Sequence, residues 1–158
     1  MPALVATGVL SGLINPREIA VAGQSDGGST TLAVAYNRHF ADHRVRAAII
    51  LSGALIPGLG GYDLSAGGPP VLAVQGTADT SNAPTSTYRY VDLLRRPKFL
   101  LRPWSAGHLS PYTTNTPQPT VVTEVSIAFM DRYLKHLSGA ARRMSSAANV
   151  RGVASLTG

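Results

Sequence analysis

Short apolar runs separated by Gly- and Pro-rich stretches set the rhythm of this chain. Residues 17–22 form a brief β-branched and apolar run ending at a glycine, which suits a buried strand. Residues 27–37 carry Leu32, Ala33, Ala35 and Tyr36 at helical spacing, so a helix packed on a sheet is expected next. Val45–Leu51 is almost continuously apolar, as strands covered on both faces are. Residues 54–70 are rich in Gly and Pro and read as a loop, followed by a third strand over 71–75 and a loop over 76–83. Pro84 suits a helix start; Tyr88, Val91 and Leu94 continue at helical spacing to Arg96, and Pro97 ends the segment. Residues 98–102 give a fourth strand and 103–119 a long loop. The clearest helix spans 120–137, with Val121, Val125, Ala128, Phe129, Tyr133 and Leu137 on one face. Residues 3–13 read as a loop or the end of a helix, closed by Asn15-Pro16. Residues 139–158, small, polar and weakly periodic, read as a loosely ordered tail after a domain over 1–138.

Strand–helix alternation of this kind predicts an α/β fold. The expected form is a mainly parallel sheet of about four strands with helices on both faces. At 158 residues the chain has room for one domain. Hydrophobic residues make up 44% and charged residues 14%, which favours a packed core over disorder. No cysteine is present, so disulfides, a thiolate metal site and a cysteine nucleophile are excluded. No apolar run approaches the roughly 18 residues of a bilayer span. The apolar start lacks a basic n-region and does not read as a signal peptide. The net charge of +6 comes from scattered Arg and Lys, with small clusters at Arg95–Arg96 and Arg142–Arg143. Without a basic stripe interleaved with aromatics, a solvated basic surface is expected rather than a nucleic-acid partner. Gly58-Leu59-Gly60-Gly61 lies in a Pro-rich loop without the strand–helix setting of a dinucleotide site, and no cofactor is implied.

Gly23-Gln24-Ser25-Asp26-Gly27 matches G-x-S-x-G. In a glycine- and serine-rich chain the match alone is weak, and a plain glycine-rich turn would look the same. Its position adds weight: it falls where a strand ends and a helix begins, as a nucleophile elbow must. Gly27 and Gly28 would supply the room for the turn. A serine hydroxyl needs a base to accept its proton. His39 and His43 lie in a cationic loop with no obvious third metal ligand, and His136 sits near a helix end. His108 follows a strand in the small-residue loop Ser105-Ala106-Gly107-His108 and is the candidate base. The imidazole in turn needs an acid. Asp79, in Gly76-Thr77-Ala78-Asp79 after the third strand, is the candidate, with Asp63 as its rival. Ser25, Asp79 and His108 all follow strands, so all three are expected at the carboxyl rim of the sheet, where open parallel sheets bind ligands.

The order Ser25, Asp79, His108, with the elbow Gly-Gln-Ser-Asp-Gly-Gly and the loops Gly-Thr-Ala-Asp and Ser-Ala-Gly-His, resembles the C-terminal half of α/β-hydrolases. The nearest branch looks like the dienelactone-hydrolase-like, chlorophyllase-like and polyester-hydrolase-type serine esterases, and the resemblance runs from about Asn15 to Leu137. It implies a lipase-like esterase mechanism on small-molecule, lipid or polyester esters. Ser25 would be the nucleophile, His108 the proton relay, Asp79 its orienting acid and the Asp26 N–H an oxyanion donor. Trp104, Tyr62 and Tyr112, in loops on the expected active side, could line an acyl pocket or simply pack their loops. The resemblance also implies export of a full-length form. One departure matters: the family's elbow serine follows several strands, and here only one precedes it. The loop that donates the second oxyanion N–H has no counterpart before Arg17. The expectation is therefore a partial α/β-hydrolase fold, a fragment whose N-terminal strands are missing and whose strand over 17–22 would be an open edge. A non-catalytic remnant or binding module that keeps the half-fold is the alternative.

Overall fold

A computed structural model describes residues 12–158. The expectation for residues 3–13 falls outside this range except at Gly12 and Leu13, which form a turn. The elements run β1 (Ile19–Gln24), α1 (Asp26–Tyr36), β2 (Val45–Leu51), β3 (Val71–Val74), α2 (Pro84–Leu93), β4 (Lys98–Pro103), α3 (Ser110–Thr113), α4 (Pro117–Tyr133), α5 (Ala140–Ala148) and β5 (Ala154–Thr157). They build an α/β fold around one five-stranded sheet of order β1-β2-β3-β4-β5. The first four strands are parallel, and β5 runs antiparallel beside β4. Among the described residues β1 forms the opposite edge, paired only with β2.

The strands alternate their side chains between two cores. Ala47, Ile49, Leu72, Val74 and Leu101 point to one face, where Val121, Val125 and Phe129 of α4 and Met144 and Ala148 of α5 cover them. Ala48, Ile50, Val71, Ala73 and Leu100 point to the other, against Leu32, Ala35 and Tyr36 of α1 and Tyr90 and Val91 of α2. Burial on both faces explains why β2 and β3 read as continuous apolar runs.

Helix ends differ from the sequence expectation for local reasons. α2 stops at Leu93 because Leu94 turns extended and is itself buried in the core. α4 begins earlier, at Pro117, since a first-turn proline lacks an N–H that would be unpaired there anyway. It also ends earlier, and Leu137, expected on the packed face, is exposed.

The larger correction concerns residues 139–158, expected as a loose tail. They form α5 and β5 instead. Ala140, Met144 and Ala148 recur every four residues and are buried, so α5 lays a narrow stripe against α4. The small side chains allow close approach but leave a weak hydrophobic signal. β5 then covers the edge of β4, in register from Leu100 opposite Thr157 to Pro103 opposite Ala154. The sheet thus has five strands rather than about four.

Candidate active site

Because β1, β3 and β4 are parallel, their carboxyl ends share one rim, and Ser25, Asp79 and His108 all lie on loops leaving that rim. Ser25 occupies the single-residue turn between β1 and α1 at φ 56°, ψ −120°, a backbone conformation that L-residues seldom adopt. Its N–H donates to the Leu51 carbonyl at 2.9 Å, pinning the turn to β2. The glycines that make room are Gly23 and Gly28. A Cβ on Gly23 would collide with the Gly27 carbonyl, and one on Gly28 would crowd Gly53 and the Leu51 oxygen at 3.0 Å. At Gly27 a Cβ would meet nothing within 4 Å, so the motif's last glycine does not supply the room expected of it.

The loops after β3 and β4 are laced together. Ala78 N–H donates to the Ala106 carbonyl at 2.9 Å, and Ser105 N–H to the Thr77 hydroxyl at 2.8 Å. Gly76 permits this approach, because any Cβ there would strike the carbonyls of Ala106 and Gly107. His108 is thereby held between Ser25 and Asp79. Its Nε2 lies 2.8 Å from the Ser25 hydroxyl and its Nδ1 2.9 Å from Asp79 Oδ2. Asp63, the rival acid, accepts the Ala66 N–H in its own loop.

The Asp79 side chain is fully buried and every lone-pair direction is used. Oδ1 accepts the N–H groups of Ser81 and Asn82, both at 2.9 Å, while Oδ2 takes His108 and the Gln75 amide at 3.0 Å. Burial alone pushes its pKa up. The hydrogen bonds from His108, Asn82, Gln75 and Ser81 outweigh that, and the net displacement is downward, so the carboxylate stays ionised.

Gln75 and Asn82 carry no sequence motif, and Gln24, a variable position of the Gly23–Gly27 motif, was given no role by the sequence. The only hint at Gln75 is a polar residue ending an apolar strand. Asn82 ties the acid loop to the Ser52 carbonyl at 2.6 Å. The Gln24 amide lies 3.4 Å from both Nε2 and the carbonyl of His108.

The remaining expected residues are distributed as follows. Asp26 is the first residue of α1, so its N–H belongs to the turn of helix donors with no intrahelical acceptor. Trp104 is exposed after β4 with the Arg102 guanidinium 5.7 Å from its ring. The Tyr112 ring packs on the core and its hydroxyl bonds Ser52 at 2.8 Å, so it faces inward. Tyr62 packs against the other core, its hydroxyl near the Ile56 N–H. Tyr112, from the short helix α3, and Tyr62, from its loop, therefore anchor their segments to the two cores. Two cavities lie elsewhere. One, of about 460 Å³, is lined by Arg38, His43, Val45, Arg46, Asp63 and Pro70 at the amino ends of the strands; the other lies between α4 and α5.

Among the described residues no group of three or more His, Asp or Glu could hold a metal ion. None of their helices is long and apolar enough to cross a membrane. No protein-family model matches this chain, and no curated protein matches it.

Proposed function

We propose that this chain is a serine hydrolase acting on carboxylic esters through an acyl-enzyme intermediate, with a partial α/β-hydrolase fold. One observation carries the reading: a continuous hydrogen-bonded chain from the Ser25 hydroxyl through both ring nitrogens of His108 to a buried, ionised Asp79. An Nδ1–H tautomer, held by Asp79, leaves the Nε2 lone pair facing the Ser25 hydroxyl.

In this mechanism the Ser25 Oγ attacks the ester carbonyl carbon while His108 Nε2 takes the hydroxyl proton. The carbonyl π electrons move onto oxygen, and the Asp26 N–H at the positive end of α1 stabilises that oxyanion. Collapse expels the alcohol, protonated by His108, and leaves Ser25 acylated. Water then attacks the acyl carbon with His108 again as base, releasing the acid and restoring the serine. Asp79 orients the imidazole and stabilises its cationic form throughout.

A fluorophosphonate probe tests the reading. Wild-type protein should label at Ser25 and the Ser25→Ala variant should not. A wild-type chain that stays unlabelled would favour the alternative of a binding module that keeps the half-fold.

A further inference from the structure

The hydrogen bonds behind Asp79 continue into the core, past the groups the mechanism uses. Gln75 is fully buried at the end of β3, and Thr87, 1% exposed, faces it from α2. The Thr87 hydroxyl lies 2.7 Å from Gln75 Oε1 and 3.2 Å from the Gly53 carbonyl. Its single proton goes to the nearer acceptor. Gln75 Nε2 then faces three oxygens: Asp79 Oδ2 at 3.0 Å, the Asn82 carbonyl at 3.1 Å and the Gly76 carbonyl at 3.3 Å. A flipped amide would set Oε1 against all three oxygens, whereas the threonine hydroxyl can serve either orientation, donating to Oε1 or turning its proton to the Gly53 carbonyl. The amide therefore has one acceptable orientation, fixed by those oxygens, and Thr87 anchors it by donating to Oε1.

We infer that Gln75 and Thr87 are positioning residues that hold Asp79 Oδ2 where it accepts the His108 Nδ1–H, and so select the imidazole tautomer presented to Ser25. The catalytic consequence rests on the hydrolase reading above; the structural consequence does not. Oδ1 is fixed by two backbone N–H groups, so it stays put when side chains change. Oδ2 has only side-chain donors, Gln75 and His108. Removing the amide leaves the imidazole as its sole partner and frees the carboxylate to rotate about its Oδ1 anchor. Thr87→Val removes the hydrogen bond that anchors Oε1 while nearly conserving shape, and Thr87→Ser restores it.

The test separates the two levels. In ¹⁵N-histidine-labelled protein, with His108 assigned by the His108→Asn variant, the wild type should show a far-downfield Nδ1–H resonance and a single tautomer. Gln75→Leu and Thr87→Val should lose that resonance and give mixed tautomers, and Thr87→Ser should recover the wild-type spectrum. On p-nitrophenyl acetate the first two variants should lose about tenfold to a hundredfold in kcat with KM unchanged, as expected for a hydrogen bond to a charged group. If Gln75→Leu fails to fold, the Thr87 pair carries the test. An unchanged His108 spectrum in a folded Gln75→Leu or Thr87→Val variant would overturn the inference. A wild type that shows the resonance but neither hydrolyses the ester nor takes the fluorophosphonate would overturn the hydrolase reading alone.

Discussion

Ser25 sits in a backbone conformation that costs about 1–3 kcal/mol for a residue bearing a Cβ, and its surroundings hold it there. Replacing it by glycine should relieve that strain. Ser25→Gly is expected to raise stability by about 1 kcal/mol in thermal unfolding while abolishing fluorophosphonate labelling, the trade between stability and function expected of a strained site. The neighbouring glycines should behave unequally despite sharing one motif. Gly23→Ala forces the β1–α1 turn apart and should cost about 1–3 kcal/mol or prevent folding. Gly27→Ala enters open space inside a helix and should be neutral or stabilising by up to about 1 kcal/mol. Denaturant titration of the two variants would decide this, and equal destabilisation would refute the packing argument.

At the level of elements, legibility followed the amount of apolar surface each segment buries. Val45–Leu51 agrees with its expected bounds to the residue, because the stretch covered on both faces, residues 47–50, is wholly apolar and the one charged residue, Arg46, lies exposed near the strand's start. α5 and β5 escaped because their contacts use Ala140, Met144, Ala148 and Ala154, mostly small residues whose spacing is regular but whose hydrophobic signal is slight. They are structural all the same. A chain ending after Gly139 would uncover the β4 edge and the α4 face, including Val125 and Phe129. It should lose cooperative unfolding or aggregate, as read by calorimetry and light scattering. A truncated protein that melts like the full chain would show that the two elements contribute nothing.

Across the whole molecule, folding and protonation are linked through Asp79. Its native pKa lies below the unfolded value near 3.8, so its contribution to stability is complete above that value and is lost as pH falls through the lower native one. The stability difference between wild type and Asp79→Asn should therefore hold steady above about pH 5 and narrow below pH 3.8. Urea titrations across that range would check it; a gap that stays constant into acid would contradict the hydrogen-bond pattern around the carboxylate. The partly exposed Asp42, held down to about 2 by Arg44, titrates in both proteins and cancels from the comparison.

The order of apolar runs was enough to specify a parallel α/β sheet, and with it the rim to which Ser25, Asp79 and His108 must belong. A run of buried residues records its environment locally, and parallel strands carry their following loops to a common end. Which carboxylate meets the imidazole is another matter. Asp63 and Asp79 are alike as residues after strands, and only the interlocking of the Gly76 and Ala106 backbones brings one of them within 2.9 Å of His108. Gln75 and Thr87 lie twelve residues apart with no pattern to join them, and their alignment behind Asp79 exists only once α2 has docked on β3. Hydrogen bonds across the core depend on angles and distances set by packing, and a linear spacing of residue types does not contain them.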